Sequence, residues 1–428
     1  METYRGAMDS PYKPGPGARP AVLVGRERQL ARAEALLTRV ANSGAPAPSA
    51  LVLTGARGLG KTVTLGVIGD SAHERGLVTA GVALDSVSDN AQLLATRIAE
   101  ALKEFEHPGA RSAWDRVKER LAALSIEVSA GIVSVTSEVP AARAETHSAT
   151  EREALASLMV EGARLAVEHE RTGLAIFVDE MQEAPHSDLV VIANAIQDAL
   201  MVADAPLAVF AAGLPHTPER VIAAASFTER FDFRTLESLE PDAAERALVE
   251  PAIALGVHWD VSAVHEVVAA AGGSPYLIQR FGDETWTLAA PEAGSILARE
   301  TAERAVADVR ESLVNGMFRG RWAKATPAER ALMVAVAQVV DMDGVAQTRH
   351  LVALTGRTTA QLSTARHSLL DKGLVESAGH GRLRFTMPGF AEFVRAQADV
   401  PWLGPGSVQE LPRGPGNALP PGSPAGSD

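Results

Sequence analysis

Two stretches of this chain have the residue types and spacing for phosphate chemistry. The first is Gly55-Ala56-Arg57-Gly58-Leu59-Gly60-Lys61-Thr62, a G-x-x-x-x-G-K-[ST] run without a mismatch. Glycines let such a loop turn tightly and bring backbone N–H groups against phosphate oxygens. A helix beginning at Lys61 adds the partial positive charge of its N-terminus, with Val63 in the same first turn. Lys61 is then placed to reach β- and γ-phosphates, and the Thr62 hydroxyl to hold Mg²⁺. The second stretch is Asp179-Glu180, which closes the apolar run Leu174-Ala175-Ile176-Phe177-Val178. Asp179 is a candidate to hold Mg²⁺ through water. Glu180 is a candidate to orient and deprotonate an attacking water, so that Glu180 and Lys61 form the candidate catalytic pair.

These residues need a scaffold, and the flanking pattern supplies one. Ala50-Leu51-Val52-Leu53-Thr54 reads as a buried strand ahead of the glycine loop, and residues 61–68 as the start of a helix. The run ending at Asp179 reads as a buried parallel strand with its carboxylates at the C-terminal edge, where ligands sit in open α/β sheets. Residues 77–84 and 207–212 read as further strands, and 90–105 and 150–169 as helices. The expected class is therefore α/β: a P-loop NTPase parallel sheet with helices on both faces. Residues 106–147 read as an insertion without assigned chemistry, helical over 113–124 and hairpin-like or mobile over 125–139.

Downstream, Glu240-Pro241-Asp242 opens a helix well, and helices are expected to about 255, over 261–271 and over 275–288. They form an all-α lid, followed by a helical connector over 292–315. Thr326-Pro327-Ala328-Glu329 is a strong helix start. That helix runs to about 340, with others at 348–354 and 358–372, then two strands at 374–377 and 383–386. Three helices and a hairpin make a C-terminal winged helix-turn-helix. Between Arg319 and Arg395 eleven Lys and Arg stand against six acids. Thr359, Gln361, Arg366 and Arg382 are candidate DNA contacts. A winged helix also serves as a protein-interaction arm or as part of a nucleotide switch. The expected division is a disordered Pro/Gly-rich arm over 1–20, a nucleotide domain over 21–238, the lid and connector over 239–315, the winged helix over 319–398 and a disordered tail over 404–428.

Bulk properties narrow the classes. The 428 residues include no cysteine, which removes disulfides, thiol catalysis and cysteine metal sites. No apolar run approaches a membrane span, and residues 1–20 lack the apolar core of a signal peptide, so the expectation is a cytoplasmic protein without membrane partners. A net charge of −13 argues against a chain held on nucleic acid mainly by phosphate contacts, although the C-terminal segment is locally basic.

Taken with the order of its motifs, the chain resembles AAA+ and STAND-type P-loop ATPases with an origin-recognition-like layout. The resemblance is carried by Val24-Gly25-Arg26-Glu27, the 55–62 loop, Val178-Asp179-Glu180, Gly273-Ser274-Pro275 and the terminal winged helix. It implies binding of ATP or ADP with Mg²⁺, hydrolysis or slow switching, and nucleotide-dependent domain movement. It places Val24, Gly25, Arg26 and Pro275 near the adenine. Arg230 falls at the position of a finger arginine that reaches a neighbour's nucleotide in a homo-oligomer. It also exposes a departure: the strand expected to end in a polar sensor ends in Ala211-Ala212-Gly213, and His216 and Thr217 come only after a proline turn. Three readings follow. One is an ATPase switch with a winged helix on duplex DNA, another is a nucleotide-gated hub for a protein partner, and the third is a small-molecule kinase.

Overall fold

The computed structural model describes residues 8–105, 111–124, 126–129, 132–135 and 144–404. The N-terminal half is a five-stranded parallel sheet flanked by helices. Its elements are α1 (Glu27–Ser43), β1 (Leu51–Thr54), α2 (Lys61–Glu74), β2 (Leu77–Ala83), α3 (Asn90–Leu102), α4 (Arg111–Ala123), the antiparallel pair β3 (Ile126–Ser129) and β4 (Ile132–Val135), α5 (Ala144–Glu168), β5 (Gly173–Asp179), α6 (His186–Leu200), β6 (Leu207–Gly213), α7 (Thr217–Ala224) and β7 (Asp232–Thr235). The strand order is β2-β5-β6-β1-β7. β1 and β6 are buried at every residue, as strands covered on both faces must be. In register, Thr54 lies beside Gly213 and Thr235, so the glycine loop leaves the sheet at its C-terminal edge. Asp179 ends β5, on the far side of β6 from β1, at the same edge.

The chain then forms α8 (Pro241–Ile253), β8 (His258–Trp259), α9 (Val261–Ala271), α10 (Pro275–Ala289), β9 (Ile296–Leu297) and α11 (Arg299–Leu313). Asp260 caps α9 and Ser274 caps α10 with their side chains. A wide turn over Val314–Phe318 leads into α12 (Arg319–Ala323), α13 (Pro327–Val339), β10 (Val345–Gln347), α14 (Thr348–Thr355), α15 (Thr359–Asp371), β11 (Val375–Ser377), β12 (Arg382–Phe385) and α16 (Phe390–Ala398). A capping box joins Thr326 and Glu329, as their spacing predicts. β10, β11 and β12 form an antiparallel sheet in the order β10-β12-β11. The sequence pattern did not show β10, which is three residues long, or α16. Apolar residues form two clusters. One lies around the parallel sheet. The other runs unbroken from the lid into the C-terminal module and includes Tyr12 and Val24.

One expectation needs correction. Residues 8–20 are not a disordered arm but a packed segment. Tyr12 is 2 % exposed, set edge-on to Trp259 and Trp286 in the lid. Composition misleads here because Pro14, Pro16 and Pro20 pre-set an extended backbone that loses little entropy on docking, and one aromatic anchor fastens it. Residues 1–7 and 405–428 lie outside the described residues, as do parts of the expected 106–147 insertion.

Candidate functional site

The glycine loop takes its shape from backbone angles that side chains rarely adopt. Gly58 and Gly60 have φ of 86° and 84°, and Gly60 sits immediately before α2. A Cβ at Gly55 would meet the Leu236 carbonyl oxygen at 2.6 Å, which excludes any larger residue. The loop thus folds back between β1 and β7 and delivers Lys61 to the first turn of α2.

Lys61 is 7 % exposed, and its ammonium donates to the carbonyl oxygens of Gly55 and Ala56, both at 2.9 Å. Burial draws its pKa down to about 8, against the pull of Glu180 and Asp179. The Thr62 hydroxyl donates to Asp179 Oδ2 at 2.6 Å, spanning from α2 to the end of β5. This hydroxyl and carboxylate are hard oxygen donors, the set Mg²⁺ takes alongside phosphate oxygens and water. Glu180 follows with φ of 53°, a left-handed turn that swings it off the strand axis, and its N–H donates to Asp179 Oδ1 at 2.8 Å.

A cleft of about 300 Å³ opens beside the loop, near the lower end of small-ligand sites. Val24, Arg26, Glu180, Pro275 and residues 57–63 line it together. Gly25 stands behind this wall, where a Cβ would lie 2.7 Å from Leu239. Arg26 lines the cleft, but its guanidinium donates to the carbonyls of Gly25, Leu59 and Glu237, tying the entry segment to the glycine loop and to the link between β7 and the lid. Arg230 is not brought to the cleft. It is exposed in the turn before β7. Thr359, Gln361 and Arg382 are exposed on the C-terminal module. Gln361 Oε1 accepts from the Thr358 N–H and helps cap α15, and Arg366 is half-buried with its Nε lacking a hydrogen-bond partner.

Several residues at the site were not assigned a role from sequence. Gln182 donates to the Glu180 carboxylate, and its Oε1 accepts from the Leu214 N–H at 2.9 Å, joining the turn after β5 to the end of β6. Tyr276 and Gln279 on α10, and residues 13–18, complete the cleft wall. The C-terminal module reaches the loop as well. A Cβ at Gly373 would lie 3.6 Å from Arg57 Nε and 3.5 Å from Leu214. Arg321 in α12 is drawn down to about 10 by burial and then by Arg57, and its Nη1 is buried without a hydrogen-bond partner. No pattern in the sequence linked these positions, because a pairing of Arg57 with Arg321 across about 260 residues leaves no local signature.

Residues 22–210 match the model of the AAA ATPase domain. They are an AAA ATPase domain. Residues 315–394 match a second model, described as "Domain of unknown function (DUF8462)". No curated protein matches the chain. Among solved structures, the chain is similar to the ORC2 protein of Aeropyrum pernix in ADPNP–ADP complexes, with 15% identity over 90% of this chain and 97% of that one, and a TM-score of 0.55. It is also similar to a Walker-type ATPase of Pyrococcus abyssi, with 14% identity over 89% of this chain and 98% of that one, and a TM-score of 0.54. At such identities the likeness is one of fold: an origin-recognition-like AAA+ P-loop architecture whose sheet is followed by helical C-terminal parts. The AAA ATPase domain therefore contains the glycine loop, Asp179 and Glu180, while Pro275 and Tyr276 approach it from the lid. Among the described residues, no helix is long and apolar enough to cross a membrane.

Proposed function

We propose that the chain is a nucleotide-dependent switch that binds ATP with Mg²⁺ in the AAA ATPase domain, hydrolyses it to ADP and phosphate, and reports the nucleotide state through its C-terminal module. The observation that carries this reading is the convergence of Lys61, Thr62, Asp179 and Glu180 at one sheet edge, with the Thr62 hydroxyl 2.6 Å from Asp179. In the free protein Lys61 holds two loop carbonyls. With nucleotide present its ammonium turns to β- and γ-phosphate oxygens. Thr62 and Asp179 would hold Mg²⁺, which would neutralise charge on the phosphates. Glu180, held by Gln182, orients a water and accepts its proton as the water attacks the γ-phosphorus and ADP leaves. The Aeropyrum pernix relative was seen with ADPNP and ADP, which accords with this ligand class.

The switch reading rests on the contact between the glycine loop and the C-terminal module. Arg57, itself paired with Glu183 at 3.0 Å, adds to burial in disfavouring the charge of Arg321 beside Tyr276. A terminal phosphate near them favours that charge, so ATP and ADP favour different positions of the module. Its three helices followed by a two-stranded hairpin support a winged-helix reading, and the excess of basic side chains supports duplex DNA as a target. A second reading, a protein-interaction arm, is favoured by a specific observation: much of that charge is already engaged. Arg330 donates to backbone carbonyls of Trp322 and Ala323, Lys372 pairs with Glu329, Arg384 with Glu376, and Arg395 donates to the Ala337 carbonyl.

The test is ATP turnover with Mg²⁺, with and without duplex DNA, beside Lys61→Ala and Glu180→Gln. Turnover that vanishes in both variants, with ATP binding kept in Glu180→Gln, supports the mechanism. Normal turnover in Glu180→Gln removes the assigned base. DNA binding that weakens steeply with salt supports the DNA reading, and its absence supports the protein arm.

A further inference from the structure

The segment before the AAA ATPase domain crosses the mouth of the nucleotide cleft and is fastened at both ends to different parts of the molecule. At one end the Tyr12 hydroxyl donates to the Leu248 carbonyl at 2.6 Å and accepts from Trp259 Nε1 at 2.9 Å. Its ring lies against α10, where a Cβ at Gly282 would come within 2.7 Å of it. The Trp286 Nε1 donates to the Met8 carbonyl, and the Lys13 N–H donates to Gln279 Oε1 at 2.8 Å. All these partners belong to the lid. At the other end Arg19 donates to the Gly66 carbonyl at 3.0 Å and pairs with Asp70, both on α2 of the AAA ATPase domain. Between the anchors residues 13–18 line the cleft together with the glycine loop, and a Cβ at Gly17 would sit 3.5 Å from Thr62 Cγ2.

The two anchors differ in strength. Tyr12 is buried in an aromatic cage with both hydrogen-bonding roles of its hydroxyl filled. The Arg19–Asp70 pair is about half exposed, at 51% and 50%, so water and salt screen it. Between them Pro14-Gly15-Pro16-Gly17 is a stiff-and-hinged run, with Gly17 in the left-handed region at φ of 65°. The run between Tyr12 and the buried Val24 and Arg26 is held to α2 only by the weaker Arg19 contact, so it lifts from α2 there first.

We propose that residues 12–19 are a strap over the nucleotide cleft, pivoting on Tyr12 and latched by Arg19, and that unlatching sets the rate at which a purine nucleotide enters and leaves. The proposal rests on the reading of the cleft as a nucleotide site. A nucleotide beneath the strap lies between residues 13–18 and the glycine loop and leaves only when the Arg19 end lifts from α2. Because the strap also ties the lid to α2, any swing of the lid pulls on the latch, which links exchange to the domain movement of the switch.

Release of a fluorescent ADP analogue, chased with excess ADP, tests this. Arg19→Ala removes the latch at an exposed position outside both apolar cores, and the expected result is release faster by about threefold or more. The chain has no cysteine, so Arg19→Cys combined with Asp70→Cys gives a unique pair for a short bismaleimide linker. Cross-linking is expected to slow release by at least about tenfold relative to the same protein left unlinked. Release rates unchanged in both the Arg19→Ala and the cross-linked protein overturn the strap. Failure of the wild-type protein to bind the analogue, or binding that survives Lys61→Ala intact, overturns the nucleotide reading instead.

Discussion

Gln182 donates its side-chain amide to the Glu180 carboxylate while its own Oε1 accepts from the Leu214 N–H at 2.9 Å. The strand behind it, β6, ends in Ala211-Ala212-Gly213 and offers no polar side chain. Gly213 is held to glycine because a Cβ there would lie 2.2 Å from Thr217 Oγ1 and 2.9 Å from Gln182 Oε1. Gln182 therefore supplies the polar link between the Glu180 turn and β6 that the strand itself lacks. Its role is positioning. Gln182→Ala is expected to lower kcat for ATP by about 10- to 100-fold, while nucleotide affinity changes by less than about threefold. An unchanged kcat, or a loss confined to affinity, refutes the assignment.

Lys61 carries a pH prediction. Its pKa in the free protein is drawn to about 8, and phosphate oxygens restore the ammonium when nucleotide binds. Binding therefore takes up a proton above pH 8 and none well below it. Affinity for ADP is expected to hold below about pH 8 and to fall by up to about tenfold per pH unit above it. Titration calorimetry in two buffers of different ionisation enthalpy reads the proton uptake directly. Folding stability moves the other way: the unfolded lysine binds the proton more readily between about 8 and 10.5, so this residue's contribution to stability rises with pH across that window.

Glu329 is 2 % exposed and accepts from Lys372 at 2.8 Å, from Ser368 and from the Thr326 N–H. Burial alone would raise its pKa, but these hydrogen bonds, Lys372 first, hold it down to about 2. Its contribution to stability is complete above the ordinary carboxylate range near 4.5 and is lost as pH falls towards 2. Glu329→Ala is expected to destabilise the lid and C-terminal core by about 2–3 kcal/mol, less than a fully buried pair because Lys372 is partly exposed. Urea unfolding at pH 7 and pH 3 checks it. The gap between wild type and variant should narrow at the lower pH.

Tyr12→Phe keeps the ring in its cage and removes the hydroxyl, leaving the Leu248 carbonyl and Trp259 Nε1 without their partner. The expected cost is about 1–3 kcal/mol. Because the lid and the C-terminal module share one apolar cluster with Tyr12, the loss should appear in the unfolding of that cluster. A variant as stable as wild type would show that the Tyr12 hydroxyl contributes no anchoring.

The phosphate-binding loop, the strand ending in Asp179-Glu180, and the starts of α8, α10 and α13 were legible in sequence because each is local. A glycine loop, a buried strand and a capped helix are specified by residues within a few positions of one another. Thr62 and Asp179 were each assigned to Mg²⁺ from their own motifs, and they meet because β1 and β5, which flank β6 in one parallel sheet, end at the same edge. Three relationships were decided only by the tertiary structure. Tyr12 meets residues 236 and 247 positions away, and a Pro/Gly-rich composition reads as disorder until the aromatic cage that receives it is assembled. Gln182 acquires its role from the end of β6, which folding brings beside it. Gly373 reaches Arg57 only because the lid and the C-terminal module pack as one apolar body against the sheet domain. Sequence determines contacts that one element can specify alone. Contacts between distant elements depend on which apolar surfaces are buried together, and that is settled when the whole chain packs.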